Sequence, residues 1–161
     1  MSNVRPHMNI LGPELQREAE CEAVLRSLPM WFGIEDALLM YARDSGKLPT
    51  FALEEESNVV GFLSLQEHFP VSWEVHCVAI AAAARNKGYG TLLLSHAEHW
   101  LKARGVRFLQ IKTVSASSPS THYAETRKFY ASRGYLPVEE FPLLWSPRNP
   151  ALQLIKVLNA A

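Results

Sequence analysis

Three side chains of this chain have types and positions that suit proton transfer. Glu74 opens an apolar run that ends at Ile80, and His76 follows two residues later. Because side chains alternate along a strand, Glu74, His76, Val78 and Ile80 are predicted to share one face. A carboxylate that begins an apolar strand suits removal of a proton, and an imidazole can take or relay one. Tyr130, on a later predicted helix, has a hydroxyl that can donate a proton to a leaving group.

A basic segment with two glycines follows that strand. Arg85 and Lys87 precede Gly88 and Gly90, and a leucine-rich helix is predicted to begin at about Thr91. A strand, loop and helix in this order bring backbone N–H groups, a helix N-terminus and two cations together, which is how proteins bind phosphate or pyrophosphate. Glycine has no Cβ, so an anion can approach the backbone closely. The sequence therefore predicts an anion site in this loop.

The glycine pattern differs from two common phosphate loops. The Gly-Lys-Ser/Thr ending of a Walker loop is missing, and so is the third glycine of a dinucleotide fingerprint. What remains is Arg-x-x-Gly-x-Gly, ending at Gly90, and later come Phe129-Tyr130 and Gly134-Tyr135. In order and spacing these motifs resemble the GCN5-related N-acetyltransferase (GNAT) superfamily.

The resemblance extends over about residues 30–158 and implies both a fold and a donor. Members use the loop to bind the pyrophosphate of acetyl-coenzyme A (acetyl-CoA), and the strand before it pairs with the pantetheine arm. Acetyl-CoA is then the acetyl donor and co-substrate. The cofactor-binding residues that the resemblance implies are Val78, Ile80, Arg85, Asn86, Lys87, Gly88, Tyr89, Gly90 and Thr91.

The resemblance also implies catalytic roles. Tyr130 matches the helix tyrosine whose hydroxyl points at the coenzyme sulfur, which makes it the predicted acid. Glu74 stands six residues before Ile80, as the base does in the histone acetyltransferase branch, which makes it the predicted base. His76 or a chain of waters remains the alternative for that role. Many relatives carry an Asn seven residues before the tyrosine; this chain has Tyr123 there, so that coenzyme contact is not carried over.

Length and composition favour a single N-acetyltransferase domain over 1–161, with residues 1–12 as a flexible tail. The chain has 161 residues, with 16 basic and 16 acidic side chains. A zero net charge gives no overall field that would recruit nucleic acid or an anionic membrane, so neither is an expected partner. The two cysteines are too few for a disulfide framework, and the expected compartment is the cytoplasm. We expect no metal, since His96 and His99 are three residues apart rather than four.

Periodicity and turn signals predict an α/β fold with a mixed, mostly antiparallel sheet and helices on both faces. The predicted helices are Pro13 to Leu28, Glu35 to Asp44, Thr91 to Arg104 and His122 to Arg133. The predicted strands are Thr50 to Leu53, Val59 to Leu65, Trp73 to Ile80, Phe108 to Val114, Leu143 to Trp145 and Leu152 to Val157.

These features predict an enzyme that moves an acetyl group from acetyl-CoA to a primary amine. The acceptor, a small molecule or a protein amine, is the predicted partner, and a homodimer stays open, as does another acyl donor such as succinyl-CoA. The rival function is a non-catalytic acyl-CoA-binding sensor or adaptor. Such a module would share the loop but would not need Glu74 or Tyr130.

Overall fold

A computed structural model describes residues 6–159, which form a mixed sheet with α-helices. The strands are β1 Met8–Leu11, β2 Thr50–Glu55, β3 Asn58–Phe69, β4 Ser72–Ile80, β5 Phe108–Val114, β6 Leu136–Ser146 and β7 Asn149–Val157. The helices are α1 Glu18–Arg26, α2 Glu35–Asp44, α3 Tyr89–Lys102 and α4 Ala124–Ser132, and Ala82–Ala84 forms a single 3-10 turn. The sheet order is β1-β2-β3-β4-β5-β7-β6. β4 and β5 are parallel, while β1–β2, β2–β3, β5–β7 and β6–β7 are antiparallel, which confirms the predicted mixed sheet.

The chain divides into two compact units, and the first unit comprises residues 6–66 and 76–100. Its helices cover both faces of the sheet. Phe51 of β2 contacts the rings of His96 and Trp100 on α3, with centroids 4.7 and 5.7 Å away. The next residue, Ala52, belongs to the core cluster that includes Leu25 of α1 and other residues of α1 and α2. Because neighbouring side chains of a strand point to opposite faces, α3 lies on one face and α1 with α2 on the other.

The second unit comprises residues 67–75 and 101–159 and is built mainly on β5, β6 and β7. β5 pairs with β7 along its whole length, from Phe108 opposite Val157 to Val114 opposite Ala151. The start of β4 pairs with β5 in parallel, from Ser72 with Phe108 to Val75 with Ile111. Fully buried side chains such as Leu109 and Tyr135 fill the core of this unit.

The N-terminal prediction needs correction. Residues 8–11 are not a flexible tail, because β1 pairs antiparallel with β2 over its four residues, from Met8 opposite Glu55 to Leu11 opposite Ala52. Residues 1–5 of the predicted tail lie outside the described residues. A short strand at the edge of a sheet depends on its partner, so a tertiary contact rather than local pattern decides its conformation.

Several element boundaries also differ from the prediction. α1 begins at Glu18 rather than at Pro13, and α4 begins at Ala124 rather than at His122. α3 begins at Tyr89 rather than at Thr91, so the second loop glycine lies inside its first turn. β6 is much longer than predicted, because pairing with β7 organises it from Leu136 onward.

Two features are absent from residues 6–159. Between residues 6 and 159, none of the helices has the length and apolarity that crossing a lipid bilayer requires. Within the same range, no cluster of three or more His, Cys, Asp or Glu side chains has the arrangement of a metal site. The absence of a metal and the single domain over 1–161 both stay predictions.

Candidate active site

The basic loop leads directly into the N-terminus of α3. The amide of Leu92 donates to the carbonyl of Gly88 at 3.2 Å, so Gly88 caps the helix and the first N–H groups of α3 point out of its end. Gly88 has a φ of +81°, in the left-handed region that favours glycine, and a Cβ built there would meet nothing within 4 Å. Asn86, Lys87 and Gly88 are exposed. The loop therefore offers an open helix end to which an anion can bind.

Side chains of the first unit already contact the charged groups of this loop. The Arg85 guanidinium lies 4.3 Å from the centre of the Trp31 ring. Lys87 Nζ is 3.7 Å from Glu55 Oε1, and the Tyr89 hydroxyl donates to the other oxygen of the same carboxylate. The Glu55 carboxylate raises the pKa of Tyr89, because it accepts that hydrogen bond and repels a phenolate. Glu55 thus connects the β2–β3 hairpin to the loop.

Sequence reasoning missed this role of Glu55, because three glutamates in a row at a hairpin are typical of a solvated turn. Each has a different partner. Glu54 accepts from Arg17 Nη1 at 2.8 Å, and Glu56 accepts from the backbone amide of His7 at 2.8 Å. The partners are distant in sequence, so no local pattern could have separated the three residues.

Two of the β4 side chains predicted to share one face, His76 and Ile80, contact different elements. A Cβ on Gly61 would lie 2.5 Å from Ile80 Cδ1 and 3.4 Å from Leu93, so Ile80 lies on the α3 side. His76 instead contacts α2, as does the core cluster that includes the next residue, Cys77.

His76 forms a hydrogen-bonded pair with Asp44 at the end of α2. Nε2 of His76 lies 2.8 Å from Asp44 Oδ2, and the Tyr41 ring packs against the imidazole with its centroid 5.3 Å away. A carboxylate can only accept a hydrogen bond, so Nε2 of His76 carries the hydrogen and Nδ1 is the acceptor nitrogen of the neutral ring. The side chains of His76 and Asp44 are 19% and 26% exposed, so solvent still reaches this pair.

Glu74, the predicted base, is bound at both carboxylate oxygens. Oε1 accepts from His68 Nε2 at 2.7 Å, and Oε2 accepts from Lys112 Nζ at 2.8 Å. The residue is buried, with only 9% of its surface exposed. We call Glu74, His68 and Lys112 the Glu74 cluster. Its carboxylate is therefore balanced by a cation rather than desolvated alone.

Tyr130, the predicted acid, lies on α4 and is buried, at 5% exposed. Its ring centroid is 6.0 Å from that of Tyr135 in an edge-to-face arrangement and 5.5 Å from that of Phe129. The backbone amide of Tyr135 donates to the Tyr130 carbonyl at 3.1 Å and ends the helix. At the position where many GNAT proteins have Asn, burial raises the pKa of Tyr123.

The predicted site residues thus fall into two groups. The first unit contains His76, Val78 and Ile80 together with the loop over 85–91, and the second unit contains Glu74 and Tyr130. Asp44, Glu55, His68 and Lys112 are the contacts that sequence reasoning did not predict.

Comparisons with solved structures show the same fold in acetyltransferases. The ribosomal-protein-S18-alanine N-acetyltransferase from Escherichia coli matches with a TM-score of 0.77 and 18% identity, over 96% of each chain. The aminoglycoside 6′-N-acetyltransferase from Enterococcus faecium matches with a TM-score of 0.72 and 19% identity, over 95% of this chain and 98% of its own. The protein yncA from Salmonella typhimurium, solved with its cofactor acetyl-CoA, matches with a TM-score of 0.67 and 19% identity, over 96% of this chain and 95% of its own. At these identities the likeness concerns the fold.

Sequence comparison gives the family. No curated protein sequence matches this chain significantly. The family model described as "Acetyltransferase (GNAT) family" matches residues 15–135, which is most of the chain and includes both the basic loop and Tyr130. The chain therefore belongs to the acetyltransferase (GNAT) family.

Proposed function

We propose that this protein transfers an acetyl group from acetyl-CoA to a primary amine. The observation that carries the proposal is the open N-terminus of α3 behind Gly88, in a chain that belongs to an acetyltransferase family. An exposed helix end with a basic loop suits a pyrophosphate, and acetyl-CoA contains one.

The donor is proposed to bind along two neighbouring segments of the first unit. Its pyrophosphate accepts from the first N–H groups of α3 and from Arg85, while Lys87 turns from Glu55 toward a phosphate. Its pantetheine amides pair with the main chain near Val78 and Ile80, as an added strand would.

The chemistry requires two proton movements around one acyl transfer. The alkylammonium acceptor first loses a proton to a base, and the free amine then attacks the thioester carbonyl. As the C–N bond forms and the C–S bond breaks, Tyr130 gives its hydroxyl proton to the departing thiolate. The second proton of the nitrogen restores Tyr130, so the net products are an amide, the thiol and one proton. The base is Glu74 or His76 of β4, acting directly or through a chain of waters.

The class of acceptor within the primary amines stays open. Among the structural relatives, one is named for a protein alanine and another for an aminoglycoside, although both have this fold. The fold therefore suits amines of very different size. A panel of kanamycin, phenethylamine, Nα-acetyllysine and a peptide that begins with alanine samples this range.

Donor binding is tested by removing the Arg85 charge. A hydrogen bond to a charged group is worth about 1.5–3 kcal/mol, so Arg85→Ala should weaken CoA by roughly tenfold to a hundredfold in calorimetric titration. Pantetheine, which lacks the pyrophosphate, should bind both proteins equally. Arg43→Ala, which removes an exposed arginine from α2, is the control and should bind CoA like the wild type. Equal CoA affinity in Arg85→Ala would contradict the assignment of this loop.

Tyr130→Phe separates the enzyme from the sensor. It removes one hydroxyl and keeps the ring that packs against Tyr135. Turnover, followed as thiol release from acetyl-CoA with the amine panel, should fall by about 10²–10⁴-fold, while CoA affinity changes little. A wild-type protein that binds CoA but releases no thiol with any amine would instead be an acyl-CoA sensor.

A further inference from the structure

Glu74 and His76, the two candidate bases on β4, differ in their hydrogen-bond partners. The Glu74 carboxylate already accepts from Lys112 and His68, one at each oxygen. Protonation of this carboxylate would remove the negative charge that balances the Lys112 ammonium beside it.

His76 uses one ring nitrogen to bind Asp44, and its other ring nitrogen can accept a proton. Its Nε2 donates to the Asp44 carboxylate at 2.8 Å, which fixes the ring and leaves Nδ1 as the nitrogen able to accept. Once Nδ1 takes a proton, the ring becomes cationic and the adjacent carboxylate stabilises it. The Tyr41 ring packs against the imidazole and limits its rotation.

The position of His76 in β4 also suits contact with the reacting groups. It precedes Val78 by two residues, or about 7 Å along the strand, and both belong to the first unit. Val78 is where we propose that the pantetheine arm pairs with the main chain.

We propose that His76 accepts the proton of the acceptor amine at Nδ1 and that Asp44 is its positioning residue. The inference rests on the proposed acetyl transfer and adds the identity of the base. The N–H bond of the alkylammonium breaks, its electron pair stays on nitrogen for attack on the thioester, and the proton moves to Nδ1. The imidazolium then returns this proton to solvent, which leaves the ring neutral for the next cycle.

The first test is spectroscopic and needs no acceptor. Two-dimensional ¹H–¹⁵N spectra of the imidazole show which nitrogen of the neutral ring carries the hydrogen. His76 of the wild type should carry it on Nε2. Asp44→Asn should lose this preference, because an amide can either donate or accept, while Asp36→Asn, an exposed carboxylate on the same helix, should keep it. A hydrogen on Nδ1 in the wild type would overturn the proposal.

The second test is kinetic and uses thiol release from acetyl-CoA with the amine panel. His76→Gln should lower kcat by about 10²–10⁴-fold, as loss of a general base does. Asp44→Asn should lower kcat on the order of 100-fold with little change in KM, because the group that orients the base is lost while the substrates still bind. Asp36→Asn should match the wild type. Wild-type kcat in His76→Gln would overturn the proposal.

The outcomes separate this inference from the function on which it rests. If the wild type releases no thiol with any amine of the panel, the proposed acetyl transfer is contradicted. If the wild type turns over and Asp44→Asn does so equally well, acetyl transfer stands and the positioning role of Asp44 is wrong.

Discussion

Two histidine–carboxylate pairs involve β4, and they differ in what surrounds the carboxylate. In the Glu74 cluster the carboxylate is buried, comes from the strand itself and also binds Lys112. In the other pair the histidine comes from the strand, and Asp44 of α2 binds it beside the ring of Tyr41. We call His76 and Asp44 the His76 pair. A carboxylate balanced by an ammonium is suited to hold elements together, whereas an imidazole oriented by a carboxylate is suited to accept a proton.

The largest contrast is expected in turnover. Glu74→Gln should retain kcat within about tenfold of the wild type, far above the 10²–10⁴-fold loss expected for His76→Gln. The reason is that Gln keeps a hydrogen-bonding oxygen near Lys112, while the imidazole has no substitute. Thiol release from acetyl-CoA measures both variants. A Glu74→Gln protein that loses turnover at neutral pH and recovers it at high pH would restore Glu74 as the base.

For stability we expect the opposite order: a change in the Glu74 cluster should cost more than a change in the His76 pair. Lys112→Met leaves the buried Glu74 carboxylate without its cation, so the free energy of unfolding should fall by about 3 kcal/mol. Asp44→Asn removes a charge from a pair that solvent reaches, and the fall should be nearer 1 kcal/mol. Chemical denaturation of both variants and the wild type checks the order. Equal losses would mean that the two pairs serve the same structural purpose.

The sequence predicted the elements of these pairs better than their partners. α2 and β5 have the predicted bounds, because their apolar periodicity and turn signals are local. His76 and Asp44 are 32 residues apart, and Glu74 and Lys112 are 38 apart, so the contacts depend on how α2, β4 and β5 fold together. Alternation predicts one face for His76 and Ile80, and no local pattern reveals that His76 binds Asp44 of α2 while Ile80 lies beside Leu93 of α3. The order of strand, basic glycines and helix was enough to predict the loop as an anion site, whereas the role of Tyr130 came from the family resemblance.

A substitution at Glu55 tests whether Lys87, which forms an ion pair with Glu55, can bind a CoA phosphate. Glu55 ion-pairs with Lys87 at 3.7 Å, so Glu55→Gln should free the ammonium and remove a negative charge near the proposed phosphate site. An exposed ion pair is worth about 0.2–1 kcal/mol, so CoA affinity should rise by up to about fivefold in calorimetric titration. Glu54→Gln is the matched control, because Glu54 binds Arg17 instead. Weaker CoA binding in Glu55→Gln would mean that the hydrogen bond between Glu55 and Tyr89 contributes more to CoA binding than removal of the Glu55 charge does.

The smallest effect concerns Tyr89 at alkaline pH. Because Glu55 raises the pKa of Tyr89 in the folded protein, the neutral phenol is favoured by folding. This contribution to stability is present below the usual tyrosine pKa of about 10 and is lost as the pH rises through the folded value. Tyr89→Phe should therefore show a shallower fall in the free energy of unfolding above that pH, measured by denaturation across the alkaline range. Parallel curves for the two proteins would contradict the Tyr89–Glu55 contact.

Acetyl transfer from acetyl-CoA to an amine can be tested by following the acetyl group itself. The wild-type protein is incubated with acetyl-CoA carrying a ¹³C-labelled acetyl group and each amine of the panel, and mass spectrometry quantifies the amide and the free CoA. We expect labelled amide from at least one amine, in an amount equal to the CoA released, and we expect no labelled amide from Tyr130→Phe on the same timescale. CoA that binds tightly while no amine of the panel becomes acetylated would contradict the proposed acetyl transfer.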